Sequence, residues 1–126
     1  MERHTNIEFD QNLGQLFYAI AATDNCVKDE EIKTLERIIN KDWLPINKNA
    51  ASILETFKEL WEDEHSNSER CFKRFVSFKR THSELFNATL NSKILKTANA
   101  ITTSFSGQNK SELIQLAKLD LELKKE

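Results

Sequence analysis

Residues Phe17–Ile38 read FYAIAATDNCVKDEEIKTLERI, and the fold turns on how they are read. The first part is apolar without interruption from Leu16 to Ala22. Extended backwards, Phe9, Leu13, Leu16, Phe17, Ile20 and Ala21 recur at intervals of three and four, the period of an amphipathic helix. This predicts a first helix over residues 10–23. The polar corner TDNCVK interrupts it. Beyond the corner the same period resumes in Ile32, Leu35, Ile38, Ile39 and Trp43, a second helix that must stop before Pro45, because proline disfavours helical geometry in the residue before it. The stretch is therefore a helix, a short turn and a helix.

Outward from it the helical period continues. Ile46, Ala50, Ile53, Leu54, Phe57, Leu60 and Trp61 mark a third helix. SNSE, Ser66 to Glu69, has the form of a capping box and opens a fourth, with Cys71, Phe75, Phe78, His82 and Leu85 on its inner stripe. THSE, Thr81 to Glu84, has the same form and places a break near Thr81. Ile94, Leu95, Ala98, Ile101 and Phe105 give a fifth helix, with Gly107 where a terminating glycine belongs. Leu113, Leu116, Ala117 and Leu119 give a sixth, followed by the polar tail LELKKE, expected to fray. Two glycines and one proline in 126 residues leave too few turn formers for a β-rich fold. The expectation is one all-α domain over residues 1–126, a bundle of about six helices. Its core should include Phe17, Ile20, Leu35, Trp43, Phe57, Phe75, Ile101 and Leu116.

The opening corner has a counterpart. ANAITTSFSGQNKSELIQLAKL, Ala98 to Leu119, aligns with Phe17–Ile38 without a gap. Ala19 falls on Ala100, Ile20 on Ile101, Glu31 on Glu112, Leu35 on Leu116 and Ile38 on Leu119. AIAATDNCVKDEEIKTL resembles the first motif of TerB-like domains, small helical proteins associated with tellurite resistance, and ITTSFSGQNKSELIQLAKL resembles the related corner in their second half. The resemblance implies a pseudo-repeated helical bundle acting in a stress-related system. It also implies an acidic cluster for a divalent metal, with Asp24 matching the motif aspartate and Glu31 and Glu112 its glutamates. Asn25 stands where glycine is usual, and Phe105 where a second motif aspartate would fall.

The residues themselves admit two readings of these corners. A hard cation such as calcium or magnesium needs several converging oxygens; Asp24, Asp29, Glu30 and Glu31 offer carboxylates at one corner and Glu112 at the other, with Asp24, Glu31 and Glu112 the chosen ligands and zinc a third metal to test. So few ligands would make binding weak. The spacing is not that of an EF-hand: counted from Asp24, Cys26, Lys28, Asp29 and Leu35 occupy positions three, five, six and twelve. The other reading is capping. With Lys28 as N-cap, Glu31 is the third helical residue and reaches back to the cap N–H, while Val27 and Ile32 form a hydrophobic staple. With Asn109 as N-cap, Glu112 takes the same place in the second copy. Asp24 is then a turn residue.

Elsewhere the chain offers little chemistry. Cys26 and Cys71 form no CxxC pair and no zinc pattern with His4, His65 or His82, and read as reduced thiols. ERCFKRFVSFKRTH, Glu69 to His82, interleaves phenylalanines with cations. At helical spacing the rings turn inward and the cations form a solvated face, free to pair with the acids of Glu55–Glu64 or across a dimer. A net charge of −2 also speaks against a nucleic-acid binder. No segment has the length of a membrane span, and the N-terminus has no signal-peptide core. The expectation is a cytoplasmic, non-catalytic protein with a divalent metal or no cofactor. Its partner is another protein or a second copy, and the alternative function is a metal-free helical adaptor.

Overall fold

The apolar run that ends the first helix leaves no polar side to face water, so that helix must lie inside the bundle. In the computed structural model it does. The structure describes residues 2–23, 27, 29–45, 47–63, 65–103 and 110–125, with side chains from Ile7 onward. Six α-helices and no strand occur among them: α1 (Glu2–Ala21), α2 (Asp29–Ile38), α3 (Ala51–Glu62), α4 (Ser68–Thr81), α5 (Ala88–Thr103) and α6 (Lys110–Lys124). Helix α1 packs on α3, α4, α5 and α6, and α2 packs on α5. No helix among the described residues is long and apolar enough to cross a membrane.

Helix α1 begins at Glu2, eight residues before the start that the apolar period predicts. The first two turns are polar and carry no periodic signal. At its other end, Thr23 Oγ1 donates to the carbonyls of Ala19 and Ile20, at 2.9 and 2.8 Å. Ser68 Oγ, at the start of α4, also donates to the Ala19 carbonyl at 2.7 Å. These bonds use up carbonyls that a helix end leaves open, and they pin α4 to α1. The close approach of α3 is made by Gly14. A methyl group there would stand 2.7 Å from both the Ile53 carbonyl oxygen and Thr56 Cβ.

Helix α2 does not simply stop before Pro45. It widens into a π-helical turn, Ile39–Trp43, in which the Leu44 N–H reaches the Ile39 carbonyl at 2.8 Å. The turn delivers Trp43 into the core, where its ring meets Phe17 edge-on at 6.3 Å and its Nε1–H donates to Thr97 Oγ1 at 3.1 Å. Lys93 covers the ring at 5.7 Å and donates to the Asp42 carbonyl at 2.9 Å. The second helix and α5 are thus held by packing and by two directional bonds.

The capping expectation for α4 is off by one residue. The N-cap is Asn67, whose side-chain oxygen accepts from the Arg70 N–H at 2.9 Å, and not Ser66. Asparagine caps as well as serine, and this register frees Ser68 to bond α1. The break near Thr81 is where THSE puts it, followed by a 3-10 turn over Ser83–Leu85. That turn sets Phe86 among Phe9, Phe75 and Phe78, with ring centroids 5.8, 5.8 and 6.2 Å away.

Of the expected core, Phe17, Ile20, Leu35, Trp43, Phe57, Phe75 and Ile101 are buried, and Leu116 is half-buried. Trp61, Leu113 and Ala117 are exposed instead, because α3 and α6 turn those positions outward. The tail does not fray: α6 runs to Lys124, and Glu122 and Leu123 are buried.

Gly14→Ala tests the α1–α3 contact. Alanine favours an isolated helix by about 1 kcal/mol over glycine. Here its methyl meets a backbone oxygen that cannot rotate away. The substitution should instead destabilise the protein by about 1–3 kcal/mol in chemical denaturation. A gain in stability would refute the close approach.

Candidate functional site

Helices α2 and α6 begin at Asp29 and Lys110, the same 81-residue offset as the sequence alignment. Glu31 and Glu112 are accordingly each the third residue of their helix. Both are buried, with 3% and 5% of their surface exposed. Val27 packs against the core, and Ile32 is buried, as a hydrophobic staple requires. Asp24, Asn25, Cys26, Lys28, Phe105, Gly107 and Asn109 lie outside the described residues. Helices α2 and α6 both pack on α5. Among the described residues, no three acids, histidines or cysteines gather as they would around a cation.

The polar structure that sequence reasoning missed is at the other end of α6. Lys79, expected on a solvated basic face, is buried. Its ammonium donates to the carbonyls of Glu122 and Lys125 at 2.7 and 2.8 Å, satisfying carbonyls at the C-terminal end of α6, where the helix dipole also favours a cation. Arg80 forks onto the Glu122 carboxylate through Nε at 3.1 Å and Nη2 at 3.0 Å. Lys125 approaches the same carboxylate at 3.5 Å, and Lys79 at 3.8 Å. Asn91 Nδ2 on α5 donates to the Leu123 carbonyl at 3.2 Å. Lys79 and Arg80 of α4 therefore pair with α6, not with the acids of Glu55–Glu64, while Lys73 pairs with Glu69 in its own helix. The Arg80 fork holds the Glu122 carboxyl below the usual carboxylate range, with the charges of Arg80, Lys125 and Lys79 adding to it.

A second buried acid was also invisible in sequence. Asp10 on α1 is fully enclosed and accepts one bond, from Asn47 Nδ2 at 2.8 Å. Its Oδ2 has no hydrogen-bond partner. Burial pushes its carboxyl up to about 6, against the opposing effect of the Asn47 bond. Cys71 is a buried free thiol whose titration burial also raises, so it is protonated at neutral pH. His82 is a boundary residue, stacked on Phe78 at 4.3 Å.

The surface feature with most to offer is the outside of α6. Leu113 is 51% exposed, Ile114 49% and Leu121 63%. With Ala117 they fall within an arc of about 100° on a helical wheel, opposite the buried Glu112, Leu119 and Leu123. Helix α6 is apolar on two opposed faces, and the bundle covers one of them. Beside the open face a groove of about 530 Å³ runs between α5 and α6, lined by Leu95, Lys96, Asn99, Leu113, Leu116, Ala117 and Asp120.

Two substitutions separate the buried acids by opposite responses to pH. Glu122 has a lowered folded pKa, so its stabilisation is present above about pH 4.5 and is lost as pH falls through the folded value. Glu122→Gln should cost about 1–3 kcal/mol at pH 7, the modest figure reflecting the exposure of Arg80, and the deficit should shrink below pH 4.5. Asp10 has a raised one. Its contribution is greatest below 3.8 and is lost as pH rises through about 6. Asp10→Asn should therefore gain on the parent between pH 4 and 7, by about 3 kcal/mol at most. Denaturation curves at stepped pH read both, and parallel pH profiles for parent and variants would refute the assignments.

Set against known proteins, the chain matches no family model, no curated protein sequence and no solved structure.

Proposed function

We propose that this chain is a non-catalytic, cytoplasmic helical interaction domain that docks another protein chain through the outer face of α6. The observation that carries the reading is the second apolar stripe, Leu113, Ile114, Ala117 and Leu121. Scattered exposed apolar residues are ordinary, but a contiguous stripe bordering a groove marks an interaction surface. Side chains left half in water gain only part of the burial that a core leucine does, so the stripe is not what holds the bundle together. The clasp at Glu122 supports the reading, because it fixes the end of α6 by polar bonds and leaves the outer face free. The stress-related setting implied by the TerB-like resemblance belongs to the same proposal.

A benzophenone amino acid at position 117 tests it, with one at position 58 on the exposed side of α3 as control. Irradiated in an extract of the source cells, the full chain should form discrete adducts from position 117 and not from position 58. Equal labelling, or none, would remove the docking face.

A weak divalent site at Asp24, Glu31 and Glu112 is the second reading. It is favoured by the equivalent, buried placement of the two glutamates at the third position of α2 and α6. Titration of the full chain with calcium, magnesium or zinc should then shift the amide resonances of all three residues saturably. Asp24→Asn should abolish the response and leave the fold intact. Diffuse shifts over all acids would leave the glutamates as capping residues.

A further inference from the structure

The docking reading leaves its partner open, and the groove beside the stripe carries a pattern that narrows it. Helices α5 and α6 run antiparallel, as the bond from Asn91 near the start of α5 to Leu123 near the end of α6 requires. The groove between them has an apolar floor of Leu95, Leu113, Leu116 and Ala117. Its two banks carry opposite charges, Lys96 on α5 and Asp120 on α6. In an antiparallel pair anchored by Asn91 and Leu123, residues 96 and 120 lie within about 3 Å of one level along the groove, roughly half a helical turn.

A two-fold axis running along such a groove exchanges its banks. It sets α5 of one copy against α6 of the other, and places each Lys96 opposite the other copy's Asp120. The apolar floors then face one another, as the inner stripes of a four-helix bundle do. We infer that the partner of this face is a second copy of the same chain, joined in a two-fold dimer through α5 and α6. The inference rests on the docking reading above and names its occupant. Self-complementarity is the requirement of a two-fold interface, in which residue i meets j and j meets i, and the charges of the two banks meet it. Asp120 is bonded within its own helix to Lys124 at 3.0 Å, an exposed pair that leaves its carboxylate partly open to a second cation. The apolar strip is narrow, which places the dimer among small, weak interfaces sensitive to both concentration and salt.

Sedimentation velocity on the full chain over a wide concentration range, at low and high salt, tests the inference. The parent should pass from monomer to dimer as concentration rises. Leu121→Asp should remain monomeric with an unchanged circular dichroism spectrum and melting temperature. Lys96→Glu and Asp120→Lys should each weaken self-association about tenfold or more, since each sets like charges opposite one another twice. An equimolar mixture of these two variants should recover the parent's association as a heterodimer, because every bank then meets its opposite. A parent that stays monomeric throughout overturns the inference, and so does a dimer indifferent to these substitutions or a mixture no tighter than its components. The two readings fail separately. Adducts of foreign mass from position 117 with a monomeric parent would leave the docking face standing and remove the second copy. An unlabelled, monomeric chain would remove both.

Discussion

The burial of the C-terminal half of α1 is the constraint on which the rest depends. Leu13, Leu16, Phe17, Ile20 and Ala21 are fully enclosed, and so is Ala19. A helix that is apolar all round has no stable position except inside other helices. Helices α3, α4, α5 and α6 supply that surround. The small residues matter here: Gly14 admits α3 at close range, and Ala19 and Ala21 are enclosed without adding bulk. Residues of this size add little hydrophobic burial of their own. They allow larger groups on neighbouring helices, such as Phe57 and Phe75, to reach the centre.

Helix α6 is held differently. Its apolar contribution to the core is small, chiefly Leu119 and Leu123. Its C-terminal end is fastened instead by charge-assisted bonds from Lys79 and Arg80, and by Asn91. Such bonds are directional, so they fix the rotation of the helix as well as its position. That rotation turns Glu122 and Leu123 inward and Leu121 out. The same clasp therefore stabilises the domain and presents the outer stripe. A lysine buried against helix-end carbonyls is well placed energetically, because the desolvated ammonium regains both hydrogen bonds and the favourable end of the dipole.

The buried carboxyls of Glu122 and Asp10 differ for the same physical reason. Glu122 is surrounded by cations and keeps its charge easily, whereas Asp10 has a single neutral donor and one bare oxygen. Desolvation without a counter-charge favours the protonated form. One enclosed carboxylate thus strengthens the fold at neutral pH and the other weakens it.

The sequence by itself determined the all-α class, the order of the six helices and most of the core. Hydrophobic periodicity is a local property, and Phe17, Leu35, Trp43, Phe57, Phe75 and Ile101 each declare an inner face by their spacing from near neighbours. The matched starts of α2 and α6 were legible as well, because helix openings have their own residue chemistry. What the spacing could not show is which faces find a partner. Leu113 and Trp61 carry the same periodic signal as buried residues and stand in solvent. Asp10, Lys79 and Glu122 look like surface charges and are enclosed, because their partners or their cover arrive from 37 to 46 residues away. Phe86 sits in no helical stripe, yet the 3-10 turn carries it into the aromatic cluster. Burial and charge pairing depend on what lies opposite, and only the packed chain settles that.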